Sequence, residues 1–499
     1  MKIQRFLEHH GVATNPFSDE DAQTDQVFKS ACIASVFHPA WDKVFGDPAE
    51  PSTSVVFGEK GSGKTAMGLQ IVRRLGEYNA DHPDAQVFVV RYDDFNPFLD
   101  RFRERLSNRQ RRPDRALSHW RLWDHMDAIL SLAVTQLVDR LLQRRDTRHP
   151  AARDEPLPID RLDASQRRDV LLLAACYDQS TADSAPQRWG ELKRRLGFSA
   201  WRARWPLAVG ALVTLVLVGL VAGWGNRQWW GAWPIALLLL ALAAGWLPWV
   251  ARRLRCWATA WRIARHTRSL RHQVGWLRRF LGDFTAGQIL GQPLPAYPRT
   301  DDRYELLGKL EGVLGALGFR GVIVVVDRVD EPYLVNGATD LMRALVWPIL
   351  DNKFLKHPGL GIKLLLPIEL ERLIDREDAA FHQRARLDKQ NMVRSLAWTG
   401  HSLYDLAAAR LRACALPGAE PSLAEWFDAS VGEQRLVEAL ATLRVPRNLF
   451  KFMYRVLTTH CNAHSDDQPV WRIPSGTFES VLAIYQRELD AFDRGVGAV

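Results

Sequence analysis

The sequence is poor in cysteine and lacks a hydrophobic run at its start. Five cysteines occur in 499 residues, far apart and with no C-x-x-C pair. This argues against a disulfide framework or a structural zinc site, so we expect reduced thiols. The first ten residues hold an acid and two histidines where a secretory signal has an apolar core. We therefore expect no cleaved signal peptide.

Acidic residues are almost absent from one stretch of the chain, residues 188–279. It holds 16 Lys and Arg residues but a single acid, Glu191, which gives a local charge of +15. Because the whole chain carries +9, everything outside this stretch carries a net charge of −6. The excess of basic residues surrounds the most hydrophobic part of the chain, where membrane topology and anionic lipids account for it. A nucleic-acid partner stays possible but is not favoured.

Two long uncharged runs lie inside this basic stretch. No residue between Arg204 and Arg227 is charged, and a second uncharged run covers residues 228–251. About 20 helical residues cross the hydrocarbon core of a bilayer, and tryptophans lie near the ends of both runs, as they do at membrane interfaces. The pattern predicts a two-helix transmembrane hairpin. The alternative is a buried helical hairpin in a large soluble core.

The charges that flank the two runs predict the orientation of the hairpin. Basic residues precede the first run and follow the second, whereas the connection at 225–228 carries one charge. By the positive-inside rule, both flanks and both termini are cytoplasmic. We therefore expect a multi-pass protein of the cell (inner) membrane. Residues 257–280 keep an arginine every three or four positions, which suits either a helix along the inner leaflet or a continuation of the second run.

A glycine-rich loop follows the first predicted strand. Residues 54–57 are apolar, and they are followed by the motif G-x-x-x-x-G-K-[ST] and then by apolar residues at helical spacing. In this context backbone N–H groups cradle phosphate, the lysine reaches the β- and γ-phosphates, and the hydroxyl ligates Mg²⁺. The motif predicts a site for ATP and Mg²⁺, and it fits GTP equally well. The predicted binding residues are Gly58, Glu59, Lys60, Gly61, Ser62, Gly63, Lys64, Thr65 and Ala66.

A run of β-branched residues brings acids to the same edge of the predicted sheet. Val322–Val326 is typical of a buried parallel strand, and Asp327 follows it directly. We expect Asp327 to hold Mg²⁺ together with Thr65. Two further acids follow, Asp330 and Glu331, and either could orient or deprotonate the attacking water.

Helical periodicity dominates the C-terminal part of the chain. Residues 402–412 and 434–443 are predicted helices, and Pro446 can open a third because its missing N–H would be unpaired there in any case. Such helices would form a lid over the nucleotide. Arg447 lies on the opening turn of the third helix, where it could reach back to the γ-phosphate. The alternative is a surface arginine.

The segment Asp327-Arg328-Val329-Asp330-Glu331 resembles the extended magnesium motif of signal-transduction P-loop NTPases of the KAP and NACHT (STAND) group. KAP members also carry membrane helices between their two nucleotide motifs. Residues 15–17 and 444–449 are similar to elements of AAA+ ATPases of the origin-recognition and ExeA-like type. The resemblance covers roughly residues 12–100 and 300–460. It implies a membrane-anchored ATPase with a role in signalling or defence.

Two positions depart from these families. Many AAA+ proteins place a catalytic Glu directly after the magnesium Asp, where this chain has Arg328. The base must then come from Asp330 or Glu331, and slow, switch-like hydrolysis is expected. The strand predicted at 363–367 ends without the Asn, Ser or Thr that senses γ-phosphate in these families, a role that Glu369 could assume. The candidates for an arginine finger acting on a neighbouring subunit are Arg372, Arg376, Arg384 and Arg386.

Together these patterns predict an α/β fold, the AAA+/STAND-like parallel sheet core of a P-loop NTPase with a C-terminal helical lid. A helical insertion with the transmembrane hairpin interrupts this core, and residues 118–144 are long enough for a stalk towards the membrane. The expected divisions are 1–100 and 301–395 for the two parts of the core, 101–200 for the helical insertion, 201–252 for the hairpin, 253–300 for a basic juxtamembrane helix and 396–499 for the lid.

Three functions fit these expectations. The first is an ATP-dependent conformational switch or assembly at the cytoplasmic face of the membrane. It would be a slow ATPase with Glu331, Asp330 and Arg447 as catalytic residues, a homo-oligomer with an unidentified protein partner. The second, a membrane-tethered DNA-handling AAA+ ATPase, is less favoured because residues 444–499 mix acids and bases. The third is a membrane anchor that binds nucleotide without hydrolysis, for which Arg328 is the main support.

Overall fold

The computed structural model describes residues 1–144, 157–223 and 232–493. The protein is α/β, mostly helical, with one five-stranded parallel sheet. The chain divides into two compact units. The first unit comprises Met1–Asp93, Ile323–Val346 and Leu350–Val499, and the second comprises Asp94–Val322 and Trp347–Ile349.

The sheet has the strand order β2-β3-β4-β1-β5. The strands are β1 (Ser54–Gly58), β2 (Gln86–Tyr92), β3 (Phe319–Val326), β4 (Leu360–Pro367) and β5 (Asn391–Val393). Strand β1 pairs in parallel with β4 and β5, so that Ser54 lies opposite both Lys363 and Asn391. Every residue of β1 and β4 is buried, as expected for parallel strands that are covered on both faces. The predicted α/β class with a parallel sheet is confirmed.

The helices are numbered in chain order. They are α1 (Ile3–His9), α2 (Trp41–Phe45), α3 (Lys64–Asp81), α4 (Asn96–Glu104), α5 (Pro113–Leu117), α6 (Leu122–Leu141), α7 (Ala164–Tyr177), α8 (Ala185–Arg195), α9 (Trp205–Gly223), α10 (Ala232–His266), α11 (Val274–Leu281), α12 (Ala286–Ile289), α13 (Asp301–Ala316), α14 (Thr339–Val346), α15 (Asn352–Leu355), α16 (Ile368–Ile374), α17 (Ala379–Ala385), α18 (Gly400–Ala413), α19 (Glu433–Leu443), α20 (Pro446–Ala463) and α21 (Ser475–Asp493).

The first unit has two hydrophobic cores. One lies between the sheet and α3, where Met67, Ile71 and Leu75 pack with strand residues such as Val325 and Leu365. The other joins the N-terminal helix α1 to the C-terminal helices α18 to α21, and we call this group of helices the helical domain. Its buried residues include Phe6, Leu403, Leu440, Leu457 and Leu482.

The second unit contains a bundle in which α6 packs against α7 and α13. Arg303 of α13 forms a doubly hydrogen-bonded ion pair with Asp127 of α6, and Tyr177 of α7 donates to the same carboxylate. Helix α6 is therefore a core helix, which differs from the stalk expected at 118–144. The division between the units also falls at 322/323 rather than at 301, because α13 packs into this bundle.

Two helical segments of the second unit, Trp201–Ala222 and Ile235–His266, are long and apolar enough to cross a membrane. Helices α9 and α10 pack closely, since a side chain at Gly210 would meet Trp246, whose indole donates to the Thr214 hydroxyl at 3.0 Å. Helix α10 runs unbroken to His266. The expected boundary at 252/253 therefore cuts a continuous helix. The helix that holds the second uncharged run continues beyond this boundary as far as His266, and α11 is a separate helix. The expected connection at 225–228 lies outside the described residues.

Candidate functional site

The glycine-rich loop connects β1 to α3 at the carboxyl edge of the sheet. Gly61 and Gly63 have φ values of 86° and 94°, which a residue with a Cβ adopts only with strain. Helix α3 begins at Lys64, so the free N–H groups of its first turn point out of the loop. The loop thus forms a concave backbone surface that suits an anion.

Lys64, Thr65 and Asp327 come together beside this loop. Asp327 follows β3, and its carboxyl group is hydrogen-bonded to the Thr65 side chain. The Lys64 ammonium donates to the carbonyl oxygens of Gly58 and Glu59 at 2.8 and 2.9 Å. The two residues predicted to share a metal, one in the first turn of α3 and one directly after β3, are therefore neighbours.

Burial dominates the electrostatics of these side chains. It raises the pKa of Asp327 to about 6, although the Thr65 hydrogen bond and the Lys64 charge oppose the shift. Burial also lowers the pKa of Lys64, while the charges of Asp327, Asp330 and Glu369 act in the opposite direction. A cation bound at Asp327 would favour its ionised form.

A cavity of about 520 Å³ opens over the loop, within the typical range of ~300–1,000 Å³ for ligand pockets. Its walls come from the loop, the segment after β3, α18, α20 and the N-terminal residues 20–38. Side chains on the wall that carry charge or can coordinate a ligand include Glu20, Lys60, Lys64, Thr65, Asp327, Asp330, Glu331, Glu369 and Arg447.

The two candidate bases differ in their surroundings. The Glu331 side chain is 56% exposed and forms an ion pair with Arg328, Nε to Oε1 at 3.3 Å. Partial burial raises the pKa of Glu331, and the Arg328 charge lowers it. Asp330 also lines the cavity, and its charge acts to raise the pKa of Lys64.

Arg447 lies directly against the glycine-rich loop. Its backbone N–H donates to the Gly61 carbonyl oxygen at 3.3 Å, and a Cβ added to Gly61 would come within 2.6 Å of the Arg447 Cβ. The Arg447 Nε atom lies 4.0 Å from Glu20, which also pairs with Lys451 at 3.3 Å. Helix α20 thus brings a guanidinium to the cavity from the helical domain.

Several residues that line the cavity belong to no sequence motif. Trp398 donates from its indole to the Ser62 carbonyl oxygen at 2.8 Å, and its ring meets His38 edge-on. Arg410 and Asp25 form a buried ion pair at 2.6 Å. These contacts join parts of the chain that are hundreds of residues apart, so local periodicity gives no signal for them.

The four arginine-finger candidates do not line the cavity, whereas Glu369, at the start of α16, does. Arg372, Arg376 and Arg384 are exposed, and Arg386 pairs with Asp388 at 3.4 Å. Their exposure leaves them accessible from outside the chain.

The donor set suits one kind of metal. A hydroxyl and a carboxylate are oxygen ligands of the sort that Mg²⁺ takes, usually with substrate phosphates completing its shell. Within the described ranges, no group of three or more His, Cys, Asp or Glu side chains could hold a metal by itself. The site therefore fits a cation that arrives with a phosphate ligand.

Comparison with known proteins found no matching family model, no matching curated protein and no matching solved structure. Function is therefore inferred from the geometry of the site.

Proposed function

We propose that this protein is a membrane-anchored P-loop ATPase that acts as an ATP-dependent conformational switch. The observation that carries the proposal is the meeting of Thr65 with Asp327 beside Lys64, in a cavity that Arg447 also lines. Two cations and a backbone cradle suit a polyphosphate, and two oxygen ligands suit Mg²⁺.

Each residue has a distinct role in the proposed reaction. Lys64 binds the β- and γ-phosphates, and Thr65 and Asp327 hold Mg²⁺, which neutralises phosphate charge. Asp330 orients or deprotonates the attacking water, with Glu331 as the alternative. Arg447 contacts the γ-phosphate from α20. The helical domain then acts as a lid, because loss of the γ-phosphate removes a contact of α20.

The membrane assignment rests on α9 and α10. Their apolar side chains are largely exposed in this chain, a surface that lipid would cover. The basic flanks support cytoplasmic termini and location in the cell membrane. Reporter fusions after Gly197 and after Gly282 should both read cytoplasmic, and fusions on opposite sides would contradict the hairpin. The resemblance at residues 327–331 supports signalling or defence by a homo-oligomer.

Nucleotide binding is tested with the detergent-purified full chain and a fluorescent ATP analogue, with Mg²⁺ or with EDTA. Lys64→Ala should weaken binding roughly 10- to 100-fold, because a charge-assisted contact is worth about 1.5–3 kcal/mol. The matched control is Lys29→Ala, which removes an exposed lysine that does not line the cavity. Equal affinity in the two variants would mean that the loop does not bind phosphate.

A second candidate, a nucleotide binder without hydrolysis, is favoured by one observation. Arg328 stands where a base is expected and holds Glu331 in an ion pair. Turnover of the wild type decides between the candidates, and turnover of Asp330→Asn and Glu331→Gln identifies the base, since loss of a general base lowers the rate ~10²- to 10⁴-fold. We expect Asp330→Asn to stop turnover while binding persists. If wild-type turnover is already undetectable with and without DNA, the non-hydrolysing function is correct.

A further inference from the structure

Arg252 ties three basic segments of the second unit together. It lies in α10, and its guanidinium donates to the carbonyl oxygens of Ala203, Gly282 and Phe284, at 2.9 Å for Gly282. Ala203 precedes α9, and Gly282 directly follows α11. Segments about 50 and 30 residues away in sequence from Arg252 therefore meet at one end of the α9–α10 hairpin.

This meeting point carries a collar of arginines. We define the collar as Arg202, Arg204, Arg253, Arg255 and Arg279, and all five are exposed. Over the described part of the chain, no ion pair joins any of them to an acid. Residues 188–279 contain one acid in all, Glu191. Glu191 pairs with Arg144. The positive charge of the collar is therefore not neutralised by the protein.

Tryptophans accompany the collar. The Arg253 guanidinium lies over the Trp249 ring at 5.0 Å, and that of Arg279 lies 5.8 Å from the Trp276 centroid. Trp201 is 79% exposed and Trp257 is 50% exposed. Exposed indoles beside arginines at the end of apolar helices are typical of the headgroup layer of a bilayer, where Trp takes the interface and Arg takes phosphate.

We propose that the collar is a binding surface for the headgroups of anionic phospholipids. The inference rests on the proposed membrane insertion of α9 and α10, since the collar then lies at headgroup depth. Charge complementarity selects the occupant, because five unpaired guanidinium groups face a layer that presents phosphate oxygens. Arg252 keeps the collar together, so the surface is built from three segments rather than from one flexible tail.

The test uses the full chain reconstituted in vesicles that contain brominated lipid, which quenches nearby tryptophans. Quenching by brominated phosphatidylglycerol is compared with quenching by brominated phosphatidylcholine. We expect a selectivity for phosphatidylglycerol of about 5-fold or more, since one arginine near an anionic surface contributes that factor. The selectivity should fall in 0.5 M salt, because exposed charges are screened.

Replacing all five collar arginines by glutamine should abolish the selectivity, and replacing them by lysine should keep most of it. The matched control replaces five exposed basic residues of the first unit by glutamine: Arg73, Arg74, Lys389, Arg412 and Arg487. The control should behave as the wild type. The measurement of the wild type at high salt still tests the proposal if the glutamine variant does not insert into the membrane.

Carbonate extraction of the same vesicles separates the possible failures. If the wild type resists extraction but shows no lipid preference, or if the control loses the preference as the collar variant does, the collar proposal is wrong and membrane anchoring stands. If carbonate releases the protein, both are wrong. Binding of DNA by the collar in place of lipid selectivity would also overturn the proposal.

Discussion

Two buried aspartates, one from each unit of this protein, lie in different surroundings. Asp127 of the second unit is fully buried, with both oxygens paired to Arg303 at 3.1 and 3.0 Å and a third hydrogen bond from Tyr177. Asp327 of the first unit is 6% exposed, contacts Thr65 and lies on a cavity wall. Burial raises the pKa of both carboxyl groups. One charge is balanced by permanent partners, and the other is available to a ligand.

Structural and functional buried carboxylates differ in the number of protein partners that they have. A buried carboxylate with a full set of protein partners stabilises one arrangement of helices. A buried carboxylate with few partners, at the edge of a sheet and beside a phosphate-shaped loop, is costly unless a cation joins it. The three predictions below test this distinction.

The largest effect is expected from Arg303→Leu. It leaves Asp127 buried without its counter-charge, which costs about 3–5 kcal/mol and should lower the unfolding midpoint of the second unit by roughly 10 °C. Thermal unfolding of the detergent-purified chain measures this. The double variant Asp127→Leu/Arg303→Leu should regain much of the loss. If it does not, the two side chains act separately and are not a compensating pair.

A smaller change in stability, with a specific loss of binding, is expected from Asp327→Asn. The amide keeps the size of the side chain but loses the metal ligand, so nucleotide affinity should fall about 10- to 100-fold with Mg²⁺ and hardly at all in EDTA. The unfolding midpoint without nucleotide should not fall, because a buried charge is removed. Asp127→Asn is the control. It should lower the unfolding midpoint and leave nucleotide affinity unchanged. Identical behaviour of the two variants would remove the distinction.

The smallest effect is expected at Arg394, whose side chain is more than half exposed and pairs with Asp375 at 3.0 Å and with Glu371 at 2.9 Å. Arg394→Gln should change stability by less than about 1 kcal/mol, because water and salt screen such pairs. The same unfolding experiment measures it. A loss as large as that of Arg303→Leu would show that pairing, rather than burial, decides the cost.

Much of the first unit could be predicted from the sequence. The strand Ser54–Gly58 and the last five residues of Phe319–Val326 follow from apolar runs, and α18, α19 and α20 begin within two residues of the predicted helices. Asp327 was expected beside Thr65 because parallel strands end at one edge. Local pattern and motif chemistry agree in this part of the chain.

The rest could not be predicted, because it depends on contacts distant in sequence. Helix α1 joins the helical domain through its packing with α18 to α21. Trp398 and Glu20 reach the cavity through one hydrogen bond and two ion pairs. The pairing of Asp127 with Arg303 spans 176 residues and has no motif. The length of residues 118–144 therefore suggests a stalk, although helix α6 within them is a core element.

Gly61 occupies a position where the phosphate-loop motif accepts any residue. Its glycine is explained by Arg447, whose Cβ leaves no room for a side chain there and whose N–H bonds to its carbonyl. The loop and the first turn of α20 are therefore in direct contact, although 385 residues separate them in the chain. In the proposed switch, a ligand that displaced Gly61 would press on the first turn of α20, and this contact would couple the loop to the helical domain.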